Sequence, residues 1–375
     1  MTRAVDGLER ALADHRAGTP AGTLFFISFN GRFFRLIRTD DIVLSMEPGI
    51  KHETFEVVTI GRVSVDLYPE QIGATLSEVR SFSKSLGGST TNVAVAAARL
   101  GHSVAAITKV GDDAFGEFIR EALEGFGVDS RFVGTDSVLR TPLAFCEIHP
   151  PNHFPLLFYR EPRAPDLNLG FTDLPFGQIV AARLFWTSGT GLSVEPSRSA
   201  TLAALTARAE ARSVDAEAIT VHDLDHRPSM WTSREEARAM ALEAIRRVTV
   251  VVGNEEEVNV AVDGDAFEAI DHLIELGVQL AICKRGERGL VAKTADGTVY
   301  EVPAIPVPVM NGLGAGDAFG GALCHGLLSG WDVEQVLNFA NAAGAIVASR
   351  MLCSDAMPTA NEIRELISSS GAAPA

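Results

Sequence analysis

Cysteine is scarce in this chain, long apolar runs are missing, and positive charge is in deficit. The four cysteines, Cys146, Cys283, Cys324 and Cys353, are widely scattered and form no C-x-x-C pair. That spacing suggests neither a zinc site nor a disulfide framework; it points to buried free thiols in a reducing, cytoplasmic setting. No stretch approaches the roughly 18–20 apolar residues of a membrane span. The nearest, Thr23-Leu-Phe-Phe-Ile-Ser-Phe, is short and is followed by Arg32, Arg35 and Arg38, the reverse of the charge order in a secretory signal. With 32 Lys and Arg against 48 Asp and Glu, the net charge is −16. A nucleic-acid surface needs a basic stripe and is not expected, although a local pocket for a small anion remains open.

What is present is apolar and regular. Hydrophobic residues make up 46% of the 375 positions, enough for a sizeable core in one large α/β domain or two modest ones. Residues 1–52 lack a strand–helix rhythm and suggest a poorly ordered extension, with Met46 as an alternative start and an oligomerising or regulatory arm as the sharper alternative. From residue 53 to about 368 the pattern becomes regular. Short apolar strands at Val57–Ile60, Ser103–Thr108, Leu184–Trp186, Ile219–Val221, Val248–Val252 and Leu280–Cys283 alternate with helical stretches. This predicts βαβ units and a mostly parallel sheet covered on both faces. Two segments, about 72–86 and 142–161, break the rhythm and suggest a small β lid, whose exposed strand makes a homodimer plausible.

The strongest local signal is Val309-Met-Asn-Gly-Leu-Gly-Ala-Gly-Asp-Ala-Phe-Gly-Gly. A β-like run enters a glycine turn that opens into a helix. Gly314, Ala315 and Gly316 can bring backbone N–H groups close to an anion, and the helix N-terminus adds unsatisfied donors and a favourable dipole. Asp317 stands at the mouth of that anion hole, where a carboxylate is costly unless it accepts a proton from an attacking hydroxyl. The competing reading is an ordinary helix N-cap. No Gly-Lys-Ser/Thr follows, so this is not a Walker A loop.

The core Gly314-Ala315-Gly316-Asp317 resembles the second signature, Asp-Thr-x-Gly-Ala-Gly-Asp, of the ribokinase-like carbohydrate kinases; Asn311 and Gly312 depart from its Asp-Thr pair. Other signatures follow in register over residues 55–360. Gly87-Gly88-Ser-Thr-Thr-Asn92 resembles the Gly-Gly-x-x-x-Asn motif, and Asp66 matches an aspartate that bonds sugar hydroxyls. Val110-Gly-Asp-Asp-x-Phe-Gly116 continues the first signature as a turn and helix start. Asn254-x-x-Glu257 resembles a motif that holds Mg²⁺ through water, a solvated acidic helix start being the alternative. Lys284-x-Gly286-x-x-Gly289 and the helix around Asn341 resemble the nucleotide side. The resemblance implies a three-layer fold with a small β lid, ATP and Mg²⁺ as cofactors, and a monovalent cation near the loop.

Phe158-Tyr159-Arg160 and Asp223-Leu-Asp225-His-Arg227 resemble Tyr-Tyr-Arg and Asp-x-Asn-x-Arg of ketodeoxygluconate kinases, with Asp225 replacing asparagine. There the tyrosine and both arginines grip a substrate carboxylate, which implies a sugar acid as substrate. Gly61-Arg-Val-Ser-Val-Asp-Leu-Tyr-Pro and Leu352-Cys-Ser-Asp-Ala-Met-Pro are similar to a sugar-acid kinase group of myo-inositol breakdown, in which Asn311-Gly312 is itself usual. Ketodeoxygluconate kinase, fructokinase and a non-catalytic sugar sensor stand as alternatives.

Overall fold

A computed structural model describes residues 54–212 and 217–370, together with three strands within residues 1–53. The chain divides into two units, Met1–Glu53 and Thr54–Ala375. In the first, strands Leu24–Phe29, Arg32–Ile37 and Val43–Ser45 pair antiparallel in that order. The rest of the expected extension lies outside the described residues.

In the second unit, the strand Val57–Ile60 is buried at every position, as the uninterrupted apolar run requires of a parallel strand covered on both faces. It pairs in parallel with Val104–Gly111 on one side and Leu184–Ser188 on the other. Beyond Leu184–Ser188 come Ile219–Asp223, Val250–Asn254 and Leu280–Lys284, all parallel. Leu290–Thr294 and Val299–Val302 finish that edge antiparallel. At the other edge Val128–Asp129 and Val133–Asp136 both pair with Val104–Gly111. Helices cover both faces, giving the expected three layers.

Alternation along the strands sorts the core into two halves. Trp186 packs with Val93, Phe319 and Phe339 on one face, and Phe185 with Ile60, Leu205 and Ile270 on the other. On the Trp186 face the alanine-rich helix Ser89–Arg99 lies against the helix Ala315–Leu328. Small residues set that approach: a Cβ on Gly321 would stand 2.2 Å from the Ala96 Cβ.

A separate four-stranded sheet has the order Leu156–Tyr159, Leu143–Cys146, Ser64–Pro69, Phe82–Gly87. It includes Ser64–Pro69, a strand that the hydrophobic rhythm alone does not separate from the preceding core strand. Residues 74–81, expected as extended, are irregular chain with a turn at 76–78 instead. Paired residues share a face, so Asp66, Ala144, Phe158 and Ser85 line one side of this sheet. The parallel strands end at Ile60, Ser188, Asp223, Asn254 and Lys284, and a ligand crevice in an open α/β sheet lies beyond such carboxyl ends.

Candidate active site

Gly314 takes a left-handed conformation, φ 81°, as the N-cap of the helix Ala315–Leu328, and no side chain caps the helix. A Cβ there would lie 2.5 Å from the Cys353 Sγ, so glycine is required for both conformation and space. The uncapped first turn leaves the amides of Ala315, Gly316 and Asp317 without helical acceptors. The loop start is braced by Asn311, whose Nδ2 donates to the Met351 carbonyl at 2.7 Å while its Oδ1 accepts from the Leu313 amide at 3.0 Å. Gly312 admits the Phe154 ring, 3.1 Å from where a Cβ would be. Asn-Gly therefore serves as a complete local brace in place of Asp-Thr.

Asp317 is not the N-cap. It is the third residue of the helix, and its carboxylate accepts from the Ser89 hydroxyl at 2.9 Å and from the Asn92 Nδ2 at 2.7 Å. Asn92 is oriented in turn by the Ser354 hydroxyl, which donates to its Oδ1 at 2.7 Å. Burial pushes the Asp317 carboxyl up to about 6, with Asp225 and Asp223 adding to the rise and the Asn92 bond and Arg62 opposing it. A carboxylate so raised and so held is suited to accept a proton near neutrality.

Lys284 stands over the same helix start: a Cβ on Gly316 would lie 3.1 Å from its Nζ. Burial works to lower the Lys284 pKa, but Asp223, Glu257 and Asp317 outweigh it and hold the ammonium charged. Its Nζ lies 4.0 Å from Asp223. Fixed amides and a fixed ammonium converging beside a raised carboxylate are suited to receive a phosphoryl group.

On the sugar side, Asp66 is buried and accepts from the Ser64 hydroxyl at 2.6 Å. Burial raises its pKa despite that bond and the charges of Arg62 and Arg160. Gly87 is required by it, since a Cβ would fall 2.0 Å from the Asp66 carboxylate, and Gly88, φ 103°, admits the Arg62 carbonyl. Arg227 meets Asp225 at 2.8 Å and keeps a 38% exposed side chain.

Two expected residues are placed otherwise. Tyr159 is 60% exposed and lies on the opposite face of the small sheet from Asp66, with its ring 5.3 Å from that of Phe145. The neighbouring Phe158 occupies the cleft-facing register, because alternate side chains of a strand point to opposite faces. Arg160 does point inward but is buried, bonded to the Asp166 carboxylate and donating to the Val63 carbonyl. Asp166 also accepts from the Val63 amide at 2.8 Å. Arg160 thus ties the start of the strand Ser64–Pro69 to the 3₁₀ turn Pro165–Asn168.

On the nucleotide side, Asn254 and Glu257 form a reciprocal capping box: the Asn254 amide donates to Glu257 Oε2 at 2.7 Å and the Glu257 amide to Asn254 Oδ1 at 3.0 Å. Glu257 is nevertheless buried, and desolvation, opposed by Lys284 and reinforced by Asp223, pushes it up to about 7. No compact cluster of three or more metal-ligating side chains exists among the described residues. Mg²⁺ keeps most of its waters and needs only one or two carboxylates beside phosphate oxygens, and Glu257, close enough to Asp223 to feel its charge, offers such a pair with it. Gly286, φ 57°, and Gly289, φ 78°, shape the turn after Lys284, and a Cβ on Gly289 would strike the Val302 carbonyl. Asn341 donates to the Pro303 carbonyl at 2.9 Å, holding the chain beyond the last strand. Sequence reasoning misses Arg62, Ser89 and Ser354; the nearness of Arg62 to Asp66, just before the strand Ser64–Pro69, is the signal that could have raised it.

Residues 54–360 match the model of the pfkB family carbohydrate kinases. A 5-dehydro-2-deoxygluconokinase of Bacillus velezensis is 35% identical over 321 residues, 84% of this chain and 96% of that protein. One of Clostridium perfringens is 34% identical over 319 residues, 84% of this chain and 93% of its own length. Among solved structures, a fructokinase with bound ATP from Xylella fastidiosa superposes with a TM-score of 0.73 at 25% identity, over 84% of this chain and 99% of the other. Motifs, fold and relatives agree: the chain belongs to the pfkB family of carbohydrate kinases.

Proposed function

We propose that this kinase transfers the γ-phosphoryl group of ATP to the terminal hydroxyl of 5-dehydro-2-deoxy-D-gluconate, a step of myo-inositol breakdown. The observation that carries the reading is the Asp317 carboxylate, fixed by Ser89 and Asn92 at the mouth of an uncapped helix start beneath Lys284. The named relatives and the partly exposed guanidinium of Arg227 support the choice of sugar acid.

In this reading the hydroxyl lies beside Asp317. Its oxygen forms a bond to the γ-phosphorus as the bond to the β–γ bridging oxygen breaks, and its proton passes to Asp317. The Ala315–Asp317 amides and Lys284 stabilise the charge on the transferring group, so positioning and electrostatics supply most of the acceleration. Asp223 and Glu257 are the carboxylates that would hold Mg²⁺, which neutralises phosphate charge when bound. Asp66 and Asn92 face the sugar, while Asn254, Gly286, Gly289 and Asn341 shape the nucleotide side. A monovalent cation near the Asn311 loop belongs to the same proposal; turnover in potassium against choline salts tests it.

The test is ADP release with ATP and Mg²⁺ on 5-dehydro-2-deoxy-D-gluconate, 2-keto-3-deoxygluconate and fructose in parallel. Turnover with the highest kcat/KM on the first is expected. A higher kcat/KM on either of the others would sink the substrate assignment while leaving the kinase chemistry in place.

A further inference from the structure

The small-molecule cleft contains a guanidinium to which none of the motif readings gives a role. Arg62 is only 7% exposed. Its Nε lies 3.4 Å from Asp225 Oδ2, and its guanidinium carbon stands 5.9 Å from the centre of the Phe158 ring. Its two terminal nitrogens have no hydrogen-bond partner among the described residues, yet neither is sealed from solvent. Arg62 stands two residues before the strand Ser64–Pro69 that carries Asp66, and its charge is felt by both Asp66 and Asp317. A buried guanidinium anchored through Nε and holding out two N–H₂ groups is a fork shaped for a carboxylate.

The anchor explains a second oddity. Asp225 stands where the sugar-acid kinase motif has asparagine, in a left-handed conformation at φ 31°. One of its oxygens meets Arg227 at 2.8 Å, and the other faces Arg62 at 3.4 Å and accepts from the Thr190 hydroxyl at 3.1 Å. An asparagine offers one acceptor oxygen and could not serve an arginine on each side. Arg160, the other motif arginine, is already committed to Asp166 and Val63.

From this geometry we infer that Arg62, oriented with Arg227 by the shared Asp225 carboxylate, is the residue that recognises the carboxylate of the substrate. Arg62 sets specificity for an acid over a neutral sugar, and Arg160 positions the strand instead. The inference rests on the sugar-acid reading of the substrate.

The experiment compares wild type, Arg62→Met, Arg62→Lys and Asp225→Asn on 5-dehydro-2-deoxy-D-gluconate and on fructose, with D-gluconate as a competitive inhibitor of whichever sugar is turned over. Arg62→Met should raise KM for the acid and weaken gluconate inhibition by about 10–100-fold, the scale of a lost hydrogen bond to a charged group. Its kcat/KM on fructose should also fall, because the Arg62 charge acts on Asp66 and Asp317, but by about tenfold less than on the acid. Lysine, a point charge without the fork, should fall between, and Asp225→Asn should shift both readouts in the direction of Arg62→Met. Fructose turnover and a thermal melt report folding; if the methionine variant does not fold, the lysine variant carries the comparison. Equal losses on acid and neutral sugar would make Arg62 a counter-ion of the cleft aspartates and overturn the inference. Wild type that ignores 5-dehydro-2-deoxy-D-gluconate but is inhibited by gluconate through Arg62 would overturn the substrate assignment alone. Wild type indifferent to every carboxylate would overturn both.

Discussion

The two ends of the cleft are built from different materials. At the phosphate end the chain presents backbone: an uncapped helix start behind Gly314, with Lys284 as the nearby cation. At the sugar end it presents side chains, with Arg62 and Arg227 both joined to Asp225 and with Asp66 near enough to feel the Arg62 charge. Asp317 belongs to both, because its helix start is the proposed phosphate receptor while its partners Ser89 and Asn92 come from the helix on the proposed sugar side. A backbone receptor should fail when a Cβ is added, and a side-chain receptor when a charge is removed.

The sharpest break is at the shared residue. Asp317→Asn keeps the shape and can satisfy Ser89 and Asn92, yet it removes the proton acceptor. A loss of about 10²–10⁴-fold in kcat is expected. Stability should move the other way. Burial raises the folded Asp317 pKa to about 6, so its ionisation opposes folding progressively as pH climbs from about 4 to about 6, and fully above that. The variant should therefore melt higher than wild type at pH 7.5, by on the order of 2 kcal/mol, with the gain fading towards pH 4. Variant activity above a tenth of wild type would remove Asp317 from its role.

This division also decides what could be read in the sequence. The phosphate end is legible because backbone receptors need glycine at fixed spacing, and Gly314-Ala-Gly-Asp317 carries that spacing in four adjacent letters. Parallel strands were legible for a similar reason: burial on both faces demands unbroken apolar runs such as Val250-Val-Val. The sugar end depends on partners distant in sequence. Arg62 meets Asp225 from 163 positions away, and no local pattern announces such a pair. Tyr159 and Phe158 are both aromatic, and only strand register tells which faces Asp66. Asn254-x-x-Glu257 is ambiguous by nature, since the same letters spell a capping box and a cation site, and the structure gives the box while leaving Glu257 buried enough to be pushed to about 7.

Acidification offers the next largest effect without any substitution. In its proposed role Asp317 accepts a proton only when ionised, and burial raises its pKa to about 6, so kcat/KM should fall about tenfold for each pH unit below that value. Glu257, raised to about 7 by burial and by Asp223 against the pull of Lys284, should bend the profile earlier where Mg²⁺ is limiting. Saturating Mg²⁺ should move that upper bend to lower pH and leave the lower one in place. A profile flat from pH 7 to 5 would contradict both assignments.

Adding a Cβ tests the backbone end directly. Gly314→Ala places a methyl 2.5 Å from the Cys353 Sγ at a positive φ, so a stability loss of about 1–3 kcal/mol and a rise in KM for ATP are expected. At Gly316 the methyl would meet the tip of Lys284 at 3.1 Å, a flexible group that can move. Gly316→Ala should therefore spare the melting temperature and act on ATP kinetics. If both alanine variants bound ATP as wild type does, the helix start would not be the phosphate receptor.

The smallest effect is expected at Asn341, and it separates a structural amide from a nucleotide contact. Its Nδ2 donates to the Pro303 carbonyl, a partner that belongs to the chain rather than to ATP. Asn341→Ala removes that tie and should cost about 0.5–1.5 kcal/mol in a denaturant titration. KM for ATP should change by no more than about threefold, because the loosened segment touches the nucleotide side only indirectly. A tenfold rise in that KM at unchanged stability would show that the amide is spent on the nucleotide, and that side-chain recognition extends to the end of the cleft assigned to backbone.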